Sequence, residues 1–240
     1  MLGCLVGVNL SAAGTFNDQL PAHLRLEILE SFFSANPSQM IQPYQRYRSL
    51  YAKYKSGASD RNTLASLFSS SEIRDLQVWS NLTWVDPRFR DEEPVASLLA
   101  KGKHFDEEEK QALLDWQLEL IKRIIPTYKK LQEEGRIEVS FTPYYHPILP
   151  LLCDTNVATE ALPSIRLPKQ RFSHPEDAER QVRMAVEKYR EIFGEELRGM
   201  WPSEGSVSEE VLELMAGQGI QWSASDEEIL SHSLEKSRLA

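Results

Sequence analysis

Gly199 to Glu210 reads GMWPSEGSVSEE, and this stretch decides the fold class. Leu197 to Trp201 is a short strand candidate, and Pro202 to Gly205 is a turn. Ser206 with Glu209 then opens a helix that runs to Ala216, a hydroxyl residue followed three positions later by glutamate. The same alternation recurs on both sides. Ile137 to Thr142 is a strand candidate upstream, and Glu176 to Phe193 is a long helix preceded by Ser173 and Pro175. Gly219 to Ala224 reads as a third strand, with Ser225 and Glu228 opening another helix. Strands alternating with helices predict parallel βα units and an α/β fold.

The N-terminal half carries a different period. Residues 22–35 and 38–55 place apolar and aromatic side chains at helical spacing, and Ser56 to Asp60 is a loop. Between Ser71 and Trp84, residues Ile73, Leu76, Trp79 and Leu82 share one helical face. Residues 86–94 read as a surface loop. Asp106 to Leu131 is the clearest helix, with Asp106 and Glu109 as a capping box and Gly135 as a stop. Its predicted buried stripe is Leu114, Leu118, Ile121, Ile125 and Tyr128, and Pro126 should kink or split it. The division expected is a mainly helical part over 1–134 and βα units over 135–240. Met1 to Leu10 reads as a strand entered partway through a domain.

Composition narrows the function classes. A formal net charge of −9 and the lack of a Lys/Arg cluster argue against nucleic acid and anionic membranes as partners. No stretch approaches the ~20 apolar residues of a membrane span. The two cysteines, Cys4 and Cys153, lie far apart and form no CxxC or zinc spacing. That usage fits a reducing compartment, so a cytoplasmic location is expected.

Three segments carry candidate chemistry at strand ends. Glu204 lies in the strand-to-helix turn between Pro202 and Gly205, beside Trp201, whose ring could stack on a sugar. In α/β barrels such turns lie at the substrate-binding end of the strands. Spacing alone leaves open a surface glutamate that merely favours a helix start. Tyr144, Tyr145 and His146 follow the strand candidate at 137–142 and could meet hydroxyls and a ring face; packing into a loop core is the alternative. Trp222 and Asp226 follow the third strand, and Asp226 could be no more than a helix cap.

The strings YYHPILPLL, GMWPSEGSVS and the later Trp222 to Glu227 pattern, with RDLQVWSNLTWVDP at Arg74 to Pro87, resemble glycoside hydrolase family 57. The likeness runs over most of the chain. It implies part of an incomplete (β/α)7 barrel with a large helical insertion in the N-terminal half. It also implies a retaining mechanism on α-glucans or maltooligosaccharides, as hydrolase or glucanotransferase, with no cofactor and no metal. By this resemblance Glu204 matches the nucleophile, and Trp201, His146 and Trp222 match cleft positions. Tyr145 and Asp226 are further candidates for substrate binding.

The chain departs from the family in two places. The first-strand His-Gln-Pro motif has no counterpart, and Ser11 to Asn17 fits poorly. The family's general acid is an aspartate well downstream of the nucleophile, and Asp226 follows Glu204 too soon to be it. The expectation is therefore a partial catalytic domain, inactive in isolation. Two other functions compete: a non-catalytic glucan-binding relative, and a metal-dependent polysaccharide deacetylase. The five histidines, at 23, 104, 146, 174 and 232, show no HxxxH spacing that would favour the second. Oligomeric state is left open.

Overall fold

The computed structural model describes residues 20–57, 61–229, 231 and 234. The strand expected at Met1 to Leu10 and the segment Ser11 to Asn17 lie outside them, as does His232. The chain divides into two compact units, Met1–Lys122 and Arg123–Ala240.

The described part of the first unit is helical. In chain order it contains α1 (Ala22–Ser31), a π-helical turn (Pro37–Ile41), α2 (Gln45–Ser56), α3 (Arg61–Leu67), α4 (Ser70–Leu82), α5 (Val95–Lys101) and α6 (Glu107–Lys122). The stretch 38–55 is thus interrupted before α2, where Pro43 lacks the donor a continuous helix needs. The face read on α4 is correct: Ile73, Leu76, Trp79 and Leu82 are all buried, packed with Ile28, Phe32, Leu50 and Phe105.

Polar contacts lock α4 to its neighbours. Asp75 is fully buried, and its Oδ2 accepts from Arg46 Nε at 2.7 Å while Oδ1 accepts from the Phe105 amide at 3.1 Å. Arg74 Nε donates to Glu107 at 2.8 Å, and Trp79 Nε1 donates to the Gly102 carbonyl at 2.9 Å. The string RDLQVWSNLTWVDP therefore owes much of its pattern to holding this unit together. The capping box at the start of α6 is also present. The Asp106 amide donates to Glu109 Oε2 and the Glu109 amide to Asp106 Oδ1, both at 2.8 Å.

In the second unit α7 (Ile124–Glu133) follows α6 after a break at Arg123. Pro126 explains the break: its ring displaces the carbonyl four residues earlier, at Lys122, and leaves it without a donor. The stripe expected to be buried is buried only at Leu114. Leu118 and Ile121 are exposed, because the hydrophobic core of the first unit ends near Leu113 and Trp116; Ile125 and Tyr128, in the second unit, are exposed as well.

Next come α8 (Leu149–Cys153), α9 (Ala158–Ala161) and α10 (Pro175–Phe193), then β1 (Gly199–Met200), α11 (Glu209–Gly217) and β2 (Trp222–Ser223). Pro175 occupies the first turn of α10, and Gly194 closes it in the left-handed region at φ 75°. Ala178, Val182, Ala185, Val186, Tyr189 and Phe193 form its buried stripe, packed on Leu149, Met200, Val211 and Met215. The cap of α11 is Ser208, whose hydroxyl accepts from the Val211 amide, not Ser206 as the sequence pattern suggested.

The sheet is small and parallel. β1 pairs with β2 in the register Gly199 to Trp222 and Met200 to Ser223. A parallel bridge joins Phe141 to Met200 on the other side of β1. The strand read over 137–142 is thus reduced, among the described residues, to one bridging position. One reason is local: the Val139 amide donates to the side chain of Gln132 and not to a strand partner. Phe141 and Met200 face α10, where the Phe141 ring meets Tyr189 edge-on at 5.7 Å. Alternation then turns Glu138, Gly199 and Trp222 to the opposite face.

Candidate active site

All three parallel segments leave the sheet at the same end. The Trp201 amide donates to the Phe141 carbonyl at 2.8 Å, so these two chains run side by side as they exit. From there one leads through Pro143 to Tyr144, Tyr145 and His146, and the other through Pro202 to Glu204. β2 leads to Ser225, whose hydroxyl donates to the Gly205 carbonyl at 3.0 Å and ties the third exit to the Glu204 turn.

Ser203–Gly205 is a single 3-10 turn, closed by the Gly205 amide on Pro202 O and the Ser206 amide on Ser203 O, both 3.0 Å. Glu204 has φ 53° and ψ 24°, the left-handed region, which a side-chain-bearing residue adopts at a cost of order 1–3 kcal/mol. Its neighbours Pro202, Ser203 and Gly205 are buried, and Glu204 itself is exposed. Its carboxylate makes no hydrogen bond or ion pair with any described residue. The buried Ser203 hydroxyl beside it also lacks a partner among them.

The opposing loop has the same backbone signature. His146 is exposed at φ 56°, and its amide closes a turn on Pro143 O at 2.9 Å. Tyr144 and Tyr145 meet edge-on at 4.8 Å. Tyr145 is 73% exposed and Trp201 52%, so both present open ring faces to solvent. Gln181 of α10 pins this loop: its side-chain oxygen accepts from the Tyr145 amide at 2.9 Å and its carbonyl from the Tyr144 amide at 3.3 Å. Sequence reasoning missed Gln181. Its only local signal is a polar residue beside the apolar stripe of α10.

We expect Gln181→Ala to speed hydrogen exchange at the Tyr145 amide about five-fold, the effect of losing one hydrogen bond worth ~1 kcal/mol. The amides of Val182 and Ala185 should keep their protection. Unchanged exchange at Tyr145 would show that the loop does not depend on this contact.

The remaining candidates fall in different settings. Asp226 caps the next turn, with Oδ1 accepting from the Glu228 amide at 2.9 Å, the task assigned in sequence to Ser225. Trp222 lies on the sheet face away from α10, its indole N–H bound to Glu138 Oε1 at 2.6 Å. Cys153 is buried under α10 and its thiol is pushed up to about 11, first by burial and then by the nearby charge of Glu210. It stays protonated at neutral pH and is no nucleophile. Among the described residues no group of three or more His, Cys, Asp or Glu is placed to hold a metal ion. No described helix is long and apolar enough to cross a membrane.

Comparison with curated proteins and with solved structures returned no match. The family comparison did: residues 14–239 match Glycosyl hydrolase family 57. That span takes in the first helical unit, the parallel βα units and the strand-end turn that carries Glu204, so the chain belongs to glycosyl hydrolase family 57.

Proposed function

We propose that this chain is a retaining glycosidase or glucanotransferase acting on α-glucans, and that Glu204 is the nucleophile. Family membership supports glycoside hydrolase chemistry in general. The observation that carries the finer assignment is Glu204 itself: an exposed carboxylate without a partner among the described residues, held in the left-handed region at the exit of a parallel strand. Strain at such a position persists where surrounding structure imposes it, and it clusters at working sites. The small parallel sheet, with helices on one face, fits a segment of the family's incomplete (β/α)7 barrel.

The chemistry follows from the carboxylate. Glu204 attacks the anomeric carbon, its oxygen forming an ester as the glycosidic C–O bond breaks. The leaving oxygen takes a proton from a second carboxyl group, which the family resemblance places at an aspartate downstream. Water or an acceptor hydroxyl then attacks the same carbon, gives its proton to that second group, and frees Glu204. Two inversions give net retention. The exposed rings of Trp201 and Tyr145 would stack on sugar faces, and His146 would meet a hydroxyl.

The test is proton NMR of the first-formed product from maltooligosaccharides. The α-anomer should appear first. Initial β-anomer would contradict the retaining mechanism. Binding without turnover would favour the non-catalytic glucan-binding alternative.

A further inference from the structure

We propose that Glu138 and Gly199 form a seat that fixes the Trp222 indole across the sheet, and that Glu138 is thereby a positioning residue for a sugar-stacking platform on this face of the sheet. The proposal rests on the glycosidase assignment above and names a part of that site.

Three observations converge on it. Trp222 lies opposite Gly199 in the β1–β2 register. Its indole N–H reaches past Gly199 to the Glu138 carboxylate at 2.6 Å, on the far side of β1. Neighbouring strands are about 4.8 Å apart, so two strand steps are about 10 Å, and only a long, flat side chain laid along the sheet spans them. Gly199 makes that path possible. A Cβ built there would lie 2.0 Å from Trp222 Cζ2 and 2.1 Å from Cε2, so the ring rests directly on the glycine backbone.

The seat fixes the ring by two different means. The glycine admits the ring plane, and the carboxylate selects its rotation by taking the N–H in a charge-assisted bond. The ring is still 41% exposed, on the face turned away from α10. Its strand leads into Ser225, which holds the Glu204 turn. An immobilised, half-open indole in this place is a platform for a sugar ring, and its fixed rotamer spares a bound glucan the cost of ordering it.

The test compares Glu138→Ala, Glu138→Gln, Gly199→Ala and Trp222→Phe in the full chain, reading melting temperature, maltoheptaose affinity by calorimetry, and the Trp222 contribution to the near-UV circular dichroism. That contribution is the difference between each protein and its Trp222→Phe counterpart. Glu138→Ala and Gly199→Ala should each erase the Trp222 band and weaken maltoheptaose binding about ten-fold. Glu138→Gln retains an acceptor oxygen and should stay within about two-fold. In the Trp222→Phe background, Glu138→Ala should change nothing further, since a role exerted through the indole vanishes with it.

A Trp222 band unchanged in Glu138→Ala would overturn the seat. An equal loss of affinity with or without Trp222 would overturn the positioning role. If the unaltered chain binds no maltoheptaose while the band still responds to Glu138→Ala, the glucan assignment is what fails, and the seat remains as packing only.

Discussion

Glu204→Gln should lower turnover on maltooligosaccharides by about 10^3-fold or more, while glucan affinity stays within about three-fold of the parent. Glutamine keeps the outline of the side chain but has no carboxylate to form the glycosyl ester. Stability should hardly move, because Glu204 is exposed and has no partner among the described residues whose loss could cost anything. If anything the glutamine inherits the same left-handed backbone and the same strain. A glutamate serving only to favour a helix start predicts the reverse: a change of at most about 0.5 kcal/mol in stability and a normal rate.

The second large effect is on folding. Asp75→Ala should destabilise the helical unit by about 3 kcal/mol, because it strips the acceptor from the buried Phe105 amide and the counter-charge from Arg46 at once. Asp75→Asn keeps one oxygen and should cost about half as much. Urea unfolding followed by far-UV circular dichroism, with hydrogen exchange across α4, measures both. A loss below about 1 kcal/mol for Asp75→Ala would mean that the α4 staple is incidental and that its motif is kept for another purpose.

That motif marks the limit of what could be read beforehand. Local periodicity identified the α4 face, the Asp106–Glu109 box, the Pro126 break and the long helix before β1, because each depends on residues within a few turns of one another. The parallel direction of the three strand segments also followed, since helices separate them in the sequence. Strand length did not follow, because pairing depends on partners supplied by the rest of the sheet. The outer part of the stripe on α6 and α7 was misjudged for a similar reason: amphipathic spacing marks a face able to be covered, and cover comes from elsewhere.

At the site, Glu204, His146, Tyr145 and Trp201 were legible as polar and aromatic residues at strand exits, and the structure brings their segments to one end of the sheet. The left-handed backbone at Glu204 and His146 was not legible, as both residue types favour other regions. Gln181 and Glu138 were hidden too. Gln181 acts on a loop more than thirty residues earlier, and Glu138 on a tryptophan 84 residues later, so no spacing rule reaches them. Asp226 shows the opposite lesson. A carboxylate that follows a strand end can also cap the next turn, as Asp226 Oδ1 does by accepting from the Glu228 amide.

The most direct measurement is the product formed when azide is added to Glu204→Ala with an α-linked maltooligosaccharide. The truncation removes the whole carboxylate, so a small anion fits the space it leaves and attacks the anomeric carbon from the side opposite the leaving group. The account predicts partial rescue of substrate cleavage and a β-glucosyl azide, of inverted configuration, identified by NMR. Near-normal hydrolysis by Glu204→Ala without azide, or a rescued product of α configuration, would contradict the assignment of Glu204 as the nucleophile.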